Sequence, residues 1–491
     1  MLNLFEKGCV CGWIPFPFNL FFNWSIKKKV KEMAGRIKLK LYPFQKEDIA
    51  FILSRNGRAL VANEMGTGKT IVALGWLRIA EAFPALIIVP ACGKQNWLKE
   101  SRKWSKPGTT TYICYGRKPS SSDIKEMKKS QIVIINYEIL DSWKDYLDHI
   151  ITVIPDEAHK VKNTKTLQSK AFSTLARKAK HIVALTGTPV ESRPIDIYNI
   201  TKHIAPAVLP DWISFVTHFC GGSKRTIMAH GRRISTWDTN GATNTEWLHK
   251  LLTETIMTRR KKEDVLKELP PKQFMIESME MTDWRTYQLA QEGFKTWANQ
   301  ETKNNMEGLA KIELLKQAAW EGKKSQVFDW LDNALNDGKK TVIFAIHKKV
   351  VSELSEYLNK KKIKHVKLDG STPAGKRQEV VDTFQNDSNC QVFIGNIEAA
   401  GVLITLTASS RVVFLELPWT PAKIDQATDR CHRIGQKSAS VDIYFLLANN
   451  TVEDYLFEII GRKRRVVDAI VDNRSMAKMS VYEELVAKLL K

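Results

Sequence analysis

At 491 residues the chain exceeds what one hydrophobic core usually organises, so two similar lobes or three domains are expected, and 43% hydrophobic with 26% charged residues excludes wholesale disorder. Seventy-five Lys and Arg against 53 Asp and Glu leave a net charge of +22, which attracts polyanions such as nucleic acid; a basic, solvated surface is the plainer alternative. The seven cysteines are scattered apart from Cys9 and Cys11, with no C-x-x-C pair, so neither a disulfide framework nor a structural zinc site follows.

Residues 1–35 read as an N-terminal extension. Its aromatic stretch (Trp13, Phe16, Phe18, Phe21, Phe22, Trp24) is broken by Pro15 and Pro17 and falls short of the roughly 18 apolar residues that cross a bilayer. Its lysines (Lys27, Lys28, Lys29, Lys31) follow the apolar run, the reverse of a signal peptide. Neither secretion nor a membrane is expected. The same stretch, to residue 32, reads as an appendage translated from a start upstream of Met33.

Short apolar runs then recur at Arg58 to Ala62, Ala85 to Val89, Gln131 to Asn136, Ile151 to Ile154 and His181 to Leu185, the form of buried parallel strands covered by helices on both faces. The first leads into Asn63-Glu64-Met65-Gly66-Thr67-Gly68-Lys69-Thr70 and a helical stretch from Ile71 to Ala80. This is a phosphate-binding loop: glycines let backbone N–H groups approach phosphates, Lys69 reaches the outer ones, and Thr70 is placed for Mg²⁺. Asn63 stands where the strict pattern has Gly. The fourth run ends in Asp156-Glu157-Ala158-His159. A strand tip there presents Asp156 to Mg²⁺ and leaves Glu157 to polarise an attacking water.

Between about 206 and 325 the pattern becomes helical, as at Thr245 to Ile256 and Thr282 to Asn299, with a loop or small hairpin between Gly221 and Gly241. A second set of strands follows: Thr341 to Ala345, Lys364 to Leu368, Cys390 to Ile394, Arg411 to Glu416 and Val441 to Leu447. Within it Gln426 to Gln436 reads as a helix closed by Gly435, carrying Arg430 and Arg433 at i and i+3, one face that could reach a γ-phosphate held by the other lobe. The fold class is α/β: two lobes with parallel sheets, joined by a mainly helical insert.

In order and spelling these motifs resemble the Swi/Snf family of superfamily-two ATPases, and its annealing-helicase branch in particular, over roughly residues 40 to 470. Leu41-Tyr42-Pro43-Phe44-Gln45 is similar to the adenine-reading segment; Asn136-Tyr137-Glu138, Asp156 to Asn163, Thr186-Gly187-Thr188-Pro189, Asp369 to Thr372 and Gln426 to Gln436 resemble the motifs that follow it. Ser192-Arg193-Pro194, Met257 to Arg260, Asp264-Val265-Leu266 and Leu269 to Lys272 are similar to the annealing-helicase branch. Leu403 and Thr405 stand where the family usually has Gly and Asn.

The resemblance implies two RecA-like lobes: an ATP-binding lobe over 36–205, an insert over 206–325, a helicase C-terminal lobe over 326–475 and a tail over 476–491. ATP would be bound by Gln45 and Asn63 through Thr70, with Mg²⁺ on Thr70 and Asp156, and catalysis shared by Lys69, Asp156, Glu157, Gln426, Arg430 and Arg433. Trp97, Thr188, His347, Thr407 and Trp419 are the candidates for nucleic-acid contact, although Trp419, between Pro418 and Pro421, suits packing equally. Lys360 to Lys362 and Arg462 to Arg465 read as solvated helix faces, with phosphate contact as the sharper alternative. The leading function is an ATP-dependent translocase on double-stranded or branched DNA, acting in the cytoplasm of a bacterial or phage-infected cell or in a nucleus. Two alternatives remain: an RNA- or single-strand-unwinding helicase, suggested by the letters DEAH, and an inactive DNA-binding scaffold.

Overall fold

The computed structural model describes residues 41–229, 232–300, 305–373, 375–400 and 404–472; the N-terminal extension, the tail over 476–491 and Leu403 lie outside them. The strands in chain order are β1 (Arg58–Val61), β2 (Ala85–Val89), β3 (Thr111–Ile113), β4 (Ile132–Asn136), β5 (Thr152–Pro155), β6 (His181–Leu185), β7 (Lys224–Ala229), β8 (Arg232–Trp237), β9 (Met257–Thr258), β10 (Lys272–Met279), β11 (Thr341–Ala345), β12 (His365–Leu368), β13 (Val392–Asn396), β14 (Arg411–Phe414) and β15 (Val441–Ala448). Two sheets carry the fold, in the orders β3-β4-β2-β5-β6-β1-β9 and β10-β15-β14-β11-β13-β12, and their pairings are parallel.

The continuous apolar runs are explained by burial on both faces. Along β1, Leu60 enters one core and Ala59 and Val61 the other; along β11, Val342 and Phe344 part from Ile343 and Ala345 in the same way. Parallel pairing sends the carboxyl ends of all strands of a sheet to one edge, where open α/β sheets bind ligands. The phosphate loop follows β1, Asp156 follows β5 and Thr186 follows β6, so this edge of the first lobe collects the motifs.

The insert over 206–325 is mainly helical, with Trp212–Cys220, Thr245–Thr255 and Arg285–Ala298, and the glycine-rich stretch forms the antiparallel hairpin β7–β8. It also does what its polar composition hides: β9 extends the first sheet beside β1, and β10 extends the second beside β15. The helix Asn305–Leu335 runs unbroken through residues 325 and 326, so the insert is woven into both lobes.

The helix Val452–Asp472 spans the lobes. Leu456 and Ile459 sit in the second lobe's core, Ile470 and Val471 in the first lobe's, and the Ile470 carbonyl lies 3.0 Å from His249 Nδ1. Within the basic cluster at Arg462 to Arg465, Lys463 and Arg464 depart from the expected solvated face. Lys463 is buried and Arg464 Nη2 donates to Asp425 Oδ1 at 2.8 Å. Among the described residues no helix is long and apolar enough to cross a membrane.

Candidate active site

The chain between β1 and the helix Lys69–Ala80 turns at Gly66 (φ +81°) and Gly68 (φ +86°). Gly68 is doubly constrained: its φ is left-handed, and a Cβ there would fall 2.5 Å from Gln45 Nε2. Gln45 is buried and clamps the loop, with Nε2 donating to Thr67 O at 3.0 Å and Oε1 accepting from Tyr42 N at 3.0 Å. Asn63, the departure from Gly, donates through Nδ2 to Asp48 Oδ2 at 2.6 Å. Asp48 Oδ1 also accepts from Thr258 Oγ1 (2.7 Å), which ties the loop to β9. Lys69 Nζ lies back on the carbonyls of Asn63 (2.9 Å) and Glu64 (3.2 Å), and burial lowers its pKa against the opposing pull of Glu157 and Asp156. Thr67 Oγ1 donates to Glu64 O at 2.8 Å, and Thr70 opens the helix, half-buried.

Asp156 is buried at the tip of β5. Its Oδ2 accepts from Trp97 Nε1 at 2.7 Å and its Oδ1 from Glu157 N at 3.0 Å; burial, then the neighbouring Glu157, pushes its pKa up to about 6. Glu157 adopts φ +52°, a left-handed conformation that costs a non-glycine residue about 1–2 kcal/mol. Its Oε2 is buried without a hydrogen bond, 3.4 Å from His159 Nδ1. The same ring nitrogen is 3.2 Å from Thr186 Oγ1 and 3.3 Å from Thr188 Oγ1, and burial holds His159 toward neutrality. His159, absent from the sequence-based candidates, thus joins the carboxylate pair to Thr186-Gly187-Thr188.

The second lobe brings its arginines to this edge, though not on a helix. The helix Pro421–Thr428 carries buried Gln426 and stops before Arg430, and residues 429–433 form turns and then a bend. Past Thr428 the chain tightens into turns, with Cys431 N and His432 N both donating to Thr428 O (3.1 and 3.0 Å), and it is held from outside, where Leu406 N donates to Arg430 O (2.9 Å) and His432 Nε2 contacts Pro270 O (2.8 Å). Arg430 is buried with Nη2 3.6 Å from Met65 Sδ. Arg433 has its Cβ 3.3 Å from where a Cβ on Gly66 would stand, while its Nη1 donates to Thr405 Oγ1 (2.8 Å) and Ile404 O (3.2 Å). Both arginines therefore abut the phosphate loop, and Thr405 holds one of them.

The nucleic-acid candidates do not gather on a free surface. Trp97 is wholly buried against Asp156, so it belongs to the carboxylate site. Thr188 faces His159, and Thr407 Oγ1 accepts from Gln385 Nε2 at 3.2 Å. His347 and Trp419 share a partner that sequence reading missed: Glu313 takes Trp419 Nε1 at 2.9 Å and His347 Nε2 at 3.0 Å, and His347 Nδ1 also pairs with Glu416.

The SNF2-related domain family matches residues 44–324, and the helicase conserved C-terminal domain matches residues 324–435. The chain belongs to the SNF2-related family. It is 34% identical over 455 residues to the human (Homo sapiens) DNA annealing helicase and endonuclease ZRANB3, covering 90% of this chain and 41% of that protein. Against the Xenopus laevis SWI/SNF-related matrix-associated actin-dependent regulator of chromatin subfamily A-like protein 1 it is 33% identical over 437 residues, 87% of this chain and 44% of the relative. The chain thus spans less than half the length of these SNF2-related proteins. Among solved structures it is similar to a Sulfolobus solfataricus SWI2/SNF2 ATPase core in complex with dsDNA, at 23% identity and a TM-score of 0.42, covering 89% of this chain and 94% of that one.

Proposed function

We propose that the chain is a DNA-stimulated ATPase motor acting on double-stranded or branched DNA. The observation that carries this reading is the meeting of the phosphate loop with the arginine turn: Arg430 on Met65 and Arg433 against Gly66, with Lys69 on the loop's inner side. The division into an ATP-binding lobe over 36–205 and a helicase C-terminal lobe over 326–475 follows the same reading.

In this reading Gln45 and the loop from Asn63 to Thr70 hold ATP, and Lys69 leaves the loop carbonyls for the outer phosphates. The donor set fits Mg²⁺ in its chemistry: the Asp156 carboxylate is followed by the orphaned Glu157 Oε2, and the Thr70 hydroxyl follows Lys69, which feels the charges of both acids. Thr70 and Asp156 would hold the ion, which when bound neutralises phosphate charge. Glu157 orients and polarises the attacking water. Arg430 and Arg433 stabilise charge on the transferred group, a role that supplies roughly 10³- to 10⁵-fold in rate, and Gln426 lines the same face. Closure of the cleft on ATP shifts one lobe's grip on DNA relative to the other's.

The relatives named for DNA annealing favour a duplex or branched substrate over RNA. An ATPase panel with duplex DNA, forked DNA and single-stranded RNA tests this. The largest stimulation is expected from duplex or forked DNA; strongest stimulation by RNA would reject the assignment, and no hydrolysis under any condition would favour an inactive scaffold.

A further inference from the structure

The segment from Met257 to Lys272 has no role in the chemistry above, yet it lies between the phosphate loop and the arginine turn. On the first-lobe side it continues past β9 along the loop: Glu64 N donates to Arg260 O at 3.0 Å, and Arg259 Nη1 donates to Ala62 O (2.7 Å) and Gly187 O (3.2 Å). Arg260 reaches Asp48 at 3.2 Å and Glu47 at 3.0 Å. On the second-lobe side Lys272 Nζ lies 2.7 Å from Asp429 Oδ1. Lys262 does both at once. Its backbone N–H donates to Glu64 Oε2 at 2.8 Å, and its ammonium meets Asp429 Oδ1 and the His432 carbonyl, each at 2.8 Å. One residue thus bridges the phosphate loop and the turn, with Lys262 only 3% exposed and Asp429 7% exposed.

We propose that Lys262, assisted by Lys272, is a positioning residue for ATP hydrolysis: by holding Asp429 it registers Arg430 and Arg433 against the phosphate loop. This rests on the ATPase reading above and deepens it. The need for such an anchor follows from the local structure. Because the helix ends at Thr428, the two arginines stand on a turn tied to it by only a few backbone hydrogen bonds, Arg430 N to Ala427 O (3.2 Å) and Cys431 N and His432 N to Thr428 O (3.1 and 3.0 Å), and Asp429 is the residue immediately before Arg430. A carboxylate gripped by two ammonium groups in a buried site keeps its place only while the grip is complete, since a charge left unpaired there is strongly unfavourable. The two lysines hold Asp429 ionised, well below the usual carboxylate range. Lys262 touches no reacting atom; it acts through the turn that it holds.

The test is steady-state DNA-stimulated hydrolysis by Lys262→Met, by the near-isosteric Asp429→Asn and by the double variant, beside wild type, with the affinity for a fluorescent ADP analogue and the thermal midpoint measured for each. Each single variant should lose about 10²-fold in kcat, a part of what an arginine finger supplies, with KM for ATP and ADP affinity within about threefold. The double variant should be no more than about threefold worse than the poorer single one, because both substitutions break the same link. A Lys262→Met kcat within about threefold of wild type, or single losses that multiply in the double variant, would overturn the proposal. A loss of kcat that appears only together with lost ADP binding or a collapsed thermal midpoint in Asp429→Asn, the variant that keeps the side-chain shape, would overturn it too. A wild type that hydrolyses no ATP with any nucleic acid overturns the ATPase reading itself, whereas an active wild type beside an unimpaired Lys262→Met removes the positioning role alone.

Discussion

In the first lobe Lys69, Asp156 and Glu157 stand at the carboxyl ends of strands of one sheet, and their functional atoms meet backbone carbonyls, an indole N–H or, for Glu157 Oε2, no hydrogen-bond partner. In the second lobe His347 and Trp419 follow β11 and β14 in the same way, yet both are bound by Glu313 from the helix Asn305–Leu335. The first arrangement leaves a buried carboxylate oxygen without a hydrogen bond. In the second the residues are already ion-paired with one another, although Glu313 Oε2 and the buried Lys316 Nζ, 3.4 Å apart, make no hydrogen bond, and any nucleic acid that engages the cluster must either contact it as a preassembled unit or exchange its internal pairs. The lobes thus differ in how far these side chains are already paired with one another, and each expectation below would break or sharpen that contrast.

The largest effect belongs to the first lobe. Glu157→Gln keeps the shape but removes the base proposed above, so stimulated kcat should fall by about 10²- to 10⁴-fold while ATP binding persists. Unchanged turnover would show that the water is activated elsewhere. A smaller effect is expected from the ion-paired cluster. Glu313→Gln should lower stimulated hydrolysis by roughly fivefold, about 1 kcal/mol at RT ln 5, and leave unstimulated hydrolysis within about twofold. Equal loss with and without DNA would place the cluster outside nucleic-acid coupling.

The smallest effect is on stability. Hydrogen bonds to Glu313 and Glu416 raise the His347 pKa to about 9, while the unfolded chain titrates near 6.5. The folded state therefore binds more protons between these values, and the stabilisation is complete below about pH 6.5 and lost as pH rises through about 9. Urea midpoints measured from pH 6 to 9 should decline more steeply for wild type than for His347→Gln. Parallel curves would mean that folding leaves the ring's pKa unshifted.

The phosphate loop, the strand tip at Asp156 and most strands were legible because their constraints are local: a left-handed φ at Gly68, a buried run in β2 or β13, a carboxylate one residue past a strand. The arginine turn reads as a helix because its letters have good helical spacing, and the contacts that its turns make are remote, with the Leu406 N–H and the Pro270 carbonyl. Trp97 is a candidate for nucleic-acid contact in the sequence, and only the fold brings it to Asp156, 59 positions along the chain. Glu313 gave no signal at all, for its partner Trp419 lies 106 positions away. The short β9 and the exposed, polar-flanked β10 were missed since neither forms an apolar run; each is an edge strand recognisable only from the sheet that it completes.

Whether both lobes must close on one triphosphate is tested most directly by Arg433→Ala, followed by single-turnover hydrolysis and nucleotide binding in the presence of duplex DNA. Hydrolysis should fall by about 10³-fold or more with nucleotide affinity changed by less than about fivefold. A rate within about tenfold of wild type would mean that the first lobe hydrolyses ATP without the second.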